Sequence, residues 1–199
     1  MLAVADGAGV HRGLRGRARV NVTANGRQDR IDLRISDGFS AIRPGEGQAA
    51  VIAGMGGTLM MRILTEGAET VNTLSECILQ PQSEIEKVRT FLLQEGFLFL
   101  DEVMVEEDGK YYTAMKTAPA HADIRTENGS WSETELRYGK LLLEKKDPVL
   151  RRFLEREMRM KKEILVSLEG KESERISQRR SQLKKEIEYA EKGMEYYAL

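Results

Sequence analysis

The sequence predicts an α/β fold in which a largely parallel sheet ends in an antiparallel hairpin and is followed by paired helices. Three features of the sequence support this prediction. Residues 48–53 form a short apolar run without polar alternation, which is typical of a parallel strand buried on both faces. Residues 97–116 are rich in β-forming residues and contain Asp108-Gly109, which favours a hairpin turn because both positions accept positive φ. From residue 133 onward, apolar residues recur at a spacing of roughly 3.5, as in packed helices.

The first half of the chain is expected to supply two helices and two strands. Residues 18–27 have the composition of a helix that is ending, and residues 30–36 alternate apolar and charged side chains like a half-buried strand. The apolar run at 48–53 follows. The next helix is expected to begin with Thr58 as its N-cap and to end at Gly67.

A further strand and helix precede the hairpin. Residues 77–80 are expected to form a strand that ends at Pro81, which has no N–H to donate to a neighbouring strand. Ser83 and Glu86 have the spacing of a capping box, so a helix is expected to begin there. Gly96 is a suitable residue to end it.

The sequence divides into three parts. Residues 1–117 carry the predicted sheet, and residues 118–132, rich in Ala, Gly, Asn and Ser, are typical of a linker. Residues 133–199 are predicted to form an antiparallel helical hairpin that turns near Gly170. Pro148 suits the first turn of its long helix, where a missing N–H costs nothing.

Composition narrows the classes of protein that remain. A chain of 199 residues can bury one core and carry an appendage. No apolar run approaches the roughly 18 residues of a membrane span. Cys77 is the single cysteine and has no partner for an internal disulfide, and only two histidines are present. We therefore expect no metal site, no membrane association and a cytoplasmic location.

A basic segment lies in the helical part of the chain. Residues 145–162 contain eight basic and three acidic side chains, which suggests either a surface that faces nucleic-acid phosphates or an ordinary solvated helix face. The candidate phosphate-binding residues are Arg151, Arg152, Arg156 and Arg159.

The strongest candidate for a ligand site follows the apolar strand. The segment Gly54-Met55-Gly56-Gly57 places three glycines in four positions, so the backbone can turn sharply and a ligand can approach it closely. Ligands of open α/β sheets bind just beyond the carboxyl ends of the strands. A tight strand-to-helix turn without a ligand would use the same residues, and both interpretations remain open on this segment alone.

A resemblance carried by four segments favours a ligand site at the glycine turn. In their order and spacing, residues 29–38, 48–57, 78–82 and 106–112 resemble the bacterial tRNA methyltransferases that modify N1 of adenine 22. Those are class I, S-adenosylmethionine-dependent enzymes with a Rossmann-like sheet and a helical C-terminal extension. The resemblance runs from about Asn21 to the C-terminus. Its most specific part is the combination of the glycine turn with the strand end Ile78-Leu79-Gln80-Pro81-Gln82.

The family also has a first strand and a motif of the form GTDHAYLP, which this chain does not match. The resemblance therefore implies an N-terminally truncated sheet. Residues 3–9 are interpreted as the family's second strand, with Asp6 near its acidic end, although counting places the family's acid at Gly9. In the alternative interpretation Asp6-Gly7-Ala8-Gly9 imitates a first-strand glycine loop. Residues 2–6 are expected either to pair beside residues 49–53 or to leave the edge at Val51 open, and in both cases the cofactor cleft would lack one wall.

The resemblance assigns roles around the glycine turn. The adenine N1 lone pair attacks without deprotonation, so no base is required, and backbone carbonyls can stabilise the developing positive charge. Asp37 would accept a hydrogen bond from the cofactor's adenine amino group, or else form only an Asx turn. Gln80 would contact the target base, or else cap the turn that follows it. The implied catalytic residues are Gly54, Met55 and Gly56; the cofactor-binding residues are Asp6, Asp37, Gly38, Ala53 and Gly54; the substrate-binding residues are Gly57, Gln80, Pro81 and the four arginines.

The expected function is methyl transfer from S-adenosylmethionine to N1 of an adenine in tRNA, with the base extruded into a pocket. The alternative is a non-catalytic protein derived from such an enzyme, which binds tRNA or interacts through its coiled helices. Cofactor binding separates the two.

Overall fold

The computed structural model describes residues 2–6, 12–119 and 129–198. Within them it contains strands and helices in α/β order, followed by helices alone. The strands are β1 (Leu2–Asp6), β2 (Asp32–Ser36), β3 (Ala49–Met55), β4 (Glu76–Pro81), β5 (Leu98–Glu107) and β6 (Lys110–Ala118). The helices are α1 (Arg12–Ala24), α2 (Gly57–Glu66), α3 (Ala68–Val71), α4 (Ile85–Gln94), α5 (Glu133–Tyr138), α6 (Lys140–Glu144), α7 (Pro148–Ser167) and α8 (Glu174–Glu195).

Four strands form a mixed sheet in the order β3-β4-β6-β5. β3 and β4 are parallel, whereas β6 runs antiparallel to both β4 and β5. Asp108 and Gly109 join β5 to β6 with φ angles of 50° and 71°, as a type I′ turn requires. The predicted hairpin at the end of a parallel pair is confirmed.

The remaining two strands form a separate parallel pair. β1 lies beside β2 in a register that runs from Leu2 opposite Asp32 to Asp6 opposite Ser36. Of the two expected arrangements, residues 2–6 therefore do not pair with residues 49–53. Among the described residues β3 pairs only with β4, and Val51 on its open side is 69% exposed.

The main core lies between the four-stranded sheet and helices α2 and α4. Met60, Leu79, Leu92 and Met115 are fully buried there. Cys77 is also buried, as its apolar context predicts, and burial raises the pKa of its thiol to about 12. This core fixes the two strand ends and the two helix starts that surround the glycine turn.

A second core joins the helical hairpin to the sheet. Met104 of β5 packs with residues of α5 to α8, including Leu150 and Leu154. The Tyr197 hydroxyl donates to the Asp147 carbonyl at 2.8 Å, so the end of α8 lies beside the start of α7 and the hairpin is antiparallel as predicted. Pro148 occupies the first turn of α7. No helix in the described ranges is long and apolar enough to cross a membrane.

A buried ion pair links the same two regions. Arg89 of α4 and Glu102 of β5 lie 2.8 Å apart with side chains 1% and 0% exposed. Arg89 also donates to the carbonyls of Leu136 and Arg137 in α5, at 2.9 and 2.8 Å. A Cβ added at Gly139 would come within 2.8 Å of both charged groups. The segment between α5 and α6 therefore passes directly over the ion pair.

The predicted linker falls only partly within the described residues, because residues 120–128 lie outside them. Ala118 completes β6. Trp131, at the other end of the linker, packs against Phe99 with ring centroids 4.6 Å apart. This end of the segment is thus attached to the main core.

Two predicted helix caps are wrong. α2 begins at Gly57, with Gly56 as its N-cap, so Thr58 lies inside the helix. α4 begins at Ile85 after Glu84, and the Ser83 side chain caps nothing there. Instead the Ser83 hydroxyl accepts a hydrogen bond from the Gly57 N–H at 3.4 Å. Contacts between the start of α2 and the residues just before α4 take the place of these local caps.

Candidate active site at the glycine turn

The glycine turn is open on one side and closed on the other. Gly54 has φ +77°, and the pairing of β3 with β4 shifts register between Ala53 and Met55. A Cβ added at Gly54 would meet no heavy atom within 4 Å, whereas one added at Gly57 would lie 2.6 Å from the Ser83 carbonyl oxygen. A ligand can therefore approach the backbone at Gly54, while Gly57 is buried and its missing side chain serves packing.

Hydrogen bonds from the end of β4 hold this turn. The Gly54 N–H donates to Gln80 Oε1 at 3.0 Å. The Met55 carbonyl accepts from the Gln82 N–H at 2.8 Å, and the Gly56 carbonyl accepts from the Met60 N–H at 3.0 Å. The Gln80 side chain contacts Gln82 in the turn that follows it, as one prediction had it, and it also binds the glycine turn. Its contact with the target base stays a prediction. Pro81 pairs with Met55 at the end of the same strand.

Asp37 and Gly38 form a turn at the end of β2. The Ser36 hydroxyl donates to the Gly38 carbonyl and accepts from the Ala41 N–H, both at 2.9 Å. Gly38 has φ +54°. The Asp37 carboxylate is 53% exposed and lies 3.1 Å from Arg62 of α2, which directs it toward the helix that follows the glycine turn.

A cleft of about 530 Å³ lies between β3, the segment that follows β2, and helices α2 and α3. Gly38, Ala53 and Met55 line it together, which brings part of the predicted cofactor set to one place. Asp37 lines an adjoining hollow of about 320 Å³ that shares Gly38. Gly54 lies at the end of β3 but does not line the cleft.

The backbone pairing of Asp6 places this residue at the same end of the molecule as the Asp37 turn. It is the last residue of β1 and pairs with Ser36, one residue before Asp37. The ends of β1 and β2 thus carry acidic residues side by side, at the carboxyl edge where the fold favours ligand binding.

The four predicted phosphate-binding arginines lie on α7. Arg151 pairs with Glu155 of the same helix at 3.0 Å. Arg152 lies 3.4 Å from Glu106. Arg156 donates to the Gly109 carbonyl at 2.7 Å and covers the Tyr111 ring. Arg152 and Arg156 therefore bind the β5–β6 hairpin, whereas Arg159 makes no ion pair or hydrogen bond within the described part of the chain.

Sequence reasoning missed the part played by the segment after Pro81. Glu84 adopts φ +54° and accepts from the Thr58 N–H at 3.1 Å. Lys87 donates to Glu84 at 2.7 Å, and this bond, with those from Thr58, lowers the pKa of the Glu84 carboxyl to about 2. A carboxylate thus occupies the N-terminus of α2.

Known proteins resemble this chain in sequence and in fold. A tRNA (adenine(22)-N(1))-methyltransferase of Bacillus subtilis is 34% identical over 132 residues, or 66% of this chain. This chain spans only 55% of the length of that relative. A solved structure of a Listeria monocytogenes protein is 26% identical with a TM-score of 0.83, covering 97% of this chain and 81% of its own.

A third protein shares the fold at lower identity. Mycoplasma capricolum TrmK, solved with S-adenosylhomocysteine, is 18% identical with a TM-score of 0.76, and the match covers 98% of this chain and 80% of that one. The family model described as tRNA (adenine(22)-N(1))-methyltransferase matches residues 3–192, which include the four-stranded sheet, the glycine turn and most of the helical hairpin. By this match over nearly its whole length, the chain belongs to the tRNA (adenine(22)-N(1))-methyltransferase family.

Proposed function

We propose that this protein transfers a methyl group from S-adenosylmethionine to N1 of an adenine in tRNA. The observation that carries the proposal is the open backbone at Gly54, which stands at the carboxyl end of β3 beside a cleft lined by Gly38 and Ala53. The Bacillus subtilis relative bears the name of this activity, and the Mycoplasma capricolum protein of the same fold holds the cofactor product.

The residues present fit this cofactor. A volume of about 530 Å³ falls within the range of small-molecule sites, about 300 to 1,000 Å³. The α2 N-terminus would attract an anion, but the Glu84 carboxylate already accepts from the Thr58 N–H there. A ligand phosphate at this helix is therefore disfavoured, whereas S-adenosylmethionine carries none. When bound, it supplies a methyl group on a positively charged sulfonium.

Each residue of the site would then bind the cofactor or orient it. Asp37 is placed to accept a hydrogen bond from an amino group, with Arg62 holding its carboxylate from the other side. Gly38 and Ala53 form walls of the cleft without side chains that would fill it. We assign Asp6 to the ribose end because its backbone lies beside Ser36 at the same edge.

The methyl transfer itself needs alignment and a suitable electrostatic environment. Adenine N1 attacks with its own lone pair, so a general base is unnecessary. We assign Gly54, Met55 and Gly56 to the reacting centre, where peptide dipoles are fixed in advance and need no reorganisation. Pro81 and the Gln80 side chain border the same turn on the β4 side. Gly57 is buried, so we do not include it among the residues that bind the substrate.

The tRNA would be held by the helical hairpin. We propose residues 1–117 as the methyl-transfer domain, residues 118–132 as a linker and residues 133–199 as the tRNA-binding unit. The basic face of α7 supports this division, with Arg159 as its least engaged arginine and Arg151 also exposed. Phosphate contacts of this kind position a nucleic acid without reading its sequence.

The experiment is a methyl-transfer assay with the full chain, radiolabelled S-adenosylmethionine and an unmodified tRNA transcript that has adenine at position 22. A matched transcript with guanine at that position is the control. We expect label in N1-methyladenosine from the first transcript and none from the second. Binding of tRNA without cofactor binding in calorimetry would contradict the proposal and favour the non-catalytic alternative.

A further inference from the structure

We propose that Gln80 is a positioning residue that sets the backbone of Gly54 through its side-chain carbonyl, as part of a clamp formed by residues 80–84. This inference rests on the proposed function, since it assigns a role in the same site. It differs from an assignment to the target base, because it makes the oxygen of the Gln80 amide important and its nitrogen dispensable.

The orientation of the Gln80 amide follows from two hydrogen bonds. Its Oε1 accepts from the Gly54 N–H at 3.0 Å and from the Gln82 side-chain amide at 2.8 Å. Two donors converge on one atom, so that atom must be the oxygen. The nitrogen is left with a single long contact of 3.4 Å to the Pro81 carbonyl.

The local backbone explains why the Gly54 N–H is available to a side-chain acceptor. The register of β3 against β4 shifts between Ala53 and Met55, so the peptide at Gly54 leaves the regular ladder. A β-bulge leaves its extra residue unpaired in the ladder, and because Gly54 is exposed its N–H would otherwise bond to water. The Gln80 oxygen is the partner that the Gly54 N–H finds here.

The other end of the turn is held from the same segment. The Ser83 hydroxyl accepts from the Gly57 N–H, and the Glu84 carboxylate accepts from the Thr58 N–H. Glu84 adopts φ +54° and ψ +34°, a left-handed conformation that residues other than glycine rarely take. Such a conformation persists only where the surroundings fix it, and it is concentrated at functional sites. Here it directs the carboxylate onto α2.

Both ends of the glycine turn are thus tied to the end of β4. The hydrogen bonds span 26 residues of sequence but join two strands that are neighbours in the sheet. Rotation of the Gly54 peptide would move the carbonyls of the turn relative to a bound base. Since misplacement by about 1 Å can cost on the order of a hundredfold in rate, the clamp controls the rate of transfer more than the affinity for tRNA.

The test compares two replacements of Gln80 that keep its length. Gln80→Glu retains an oxygen acceptor but removes the amide N–H groups, whereas Gln80→Met removes both. Gln94→Met is the matched control, because Gln94 is an exposed glutamine at the end of α4. Two quantities are measured: hydrogen exchange of the Gly54 amide by NMR, and kcat and KM for methyl transfer to tRNA.

We expect Gln80→Met to accelerate exchange at Gly54 and to lower kcat by about ten- to a hundredfold while KM for tRNA changes little. Gln80→Glu should keep both the protection of the Gly54 amide and most of kcat. Equal losses of kcat in the two variants with unchanged exchange at Gly54 would overturn the inference and assign Gln80 to the base. If the parent chain transfers no methyl group, the proposed function fails, but exchange at Gly54 still decides whether the clamp exists.

Discussion

At the scale of single residues, the glycine turn contains two glycines with opposite uses. Gly54 has positive φ and open space beside it, so its backbone can meet a ligand. Gly57 is buried under the Ser83 carbonyl, so its lack of a side chain lets α2 approach the end of β4. The residues that carry chemistry in this site are therefore fixed by backbone shape more than by side-chain type.

Asp37 is the residue whose side chain is expected to contact the cofactor directly. Asp37→Ala should weaken S-adenosylmethionine binding by about tenfold or more, since hydrogen bonds to charged groups contribute about 1.5 to 3 kcal/mol. Isothermal titration measures this affinity. Glu66→Ala is the control, because Glu66 is the other carboxylate that pairs with Arg62. Equal affinity of the Asp37 variant and the parent would remove Asp37 from the cofactor site.

At the scale of elements, the arginines of α7 differ in function: one attaches the helix to the sheet, and another is proposed to bind phosphate. Arg156 binds the Gly109 carbonyl and the Tyr111 ring, so it attaches the helix to the β5–β6 hairpin. Arg159→Ala should weaken tRNA binding and reduce the slope of log affinity against log salt by about 1. Binding curves over a salt series measure both. Arg27→Ala, in the turn after α1, should leave them unchanged. A parent-like slope for the Arg159 variant would contradict a phosphate contact.

The clamp at α2 should respond to acid. The pKa of Glu84 in the folded protein, about 2, lies below its ordinary value of 4.5. Its stabilising effect is therefore present above pH 4.5 and is lost as the pH falls toward 2. Glu84→Gln should lower the melting temperature at pH 7, and this difference should shrink between pH 4.5 and 2. Melting curves across that range measure it, and a difference independent of pH would show that the charge is not involved.

The same segment shows what sequence reasoning can and cannot predict. The turn at Asp108-Gly109 was predictable because the residues that determine it are adjacent. The N-cap roles given to Thr58 and Ser83 were wrong because each residue hydrogen-bonds with a partner 26 positions away along the chain. The pairing of β1 with β2 is likewise non-local: several apolar strands could accept β1, and only the folded packing selects among them.

At the scale of the whole molecule, the buried pair of Arg89 and Glu102 connects the sheet to the hairpin. Arg89→Met should destabilise the protein by about 3 to 5 kcal/mol, because it leaves a buried carboxylate without a partner. Replacing Glu102 by Met as well should restore part of that loss. Denaturant unfolding measures both. Lys192→Met, which breaks the exposed pair with Glu188, should cost at most about 1 kcal/mol. A small effect of Arg89→Met would mean that water reaches Glu102.

The open side of β3 is a second feature that affects the whole molecule. Val51 is 69% exposed on a strand that pairs on one side among the described residues, and such edges promote association between chains. Val51→Lys should therefore lower the aggregated fraction in size-exclusion chromatography with light scattering. Val166→Lys, which changes an equally exposed valine on α7, should not. An unchanged aggregated fraction would show that this edge is not the site of association.

The length of the antiparallel hairpin means that a small tilt at its base would displace its tip by several ångströms. α7 has 20 residues and is therefore about 30 Å long, while its base is fixed beside Asp147 and Tyr197. A tilt of roughly ten degrees at the base would displace the far end near Gly170 by about 5 Å over that length. A small rotation at this base would therefore move the tip of the hairpin several times farther than it moves the residues beside the sheet.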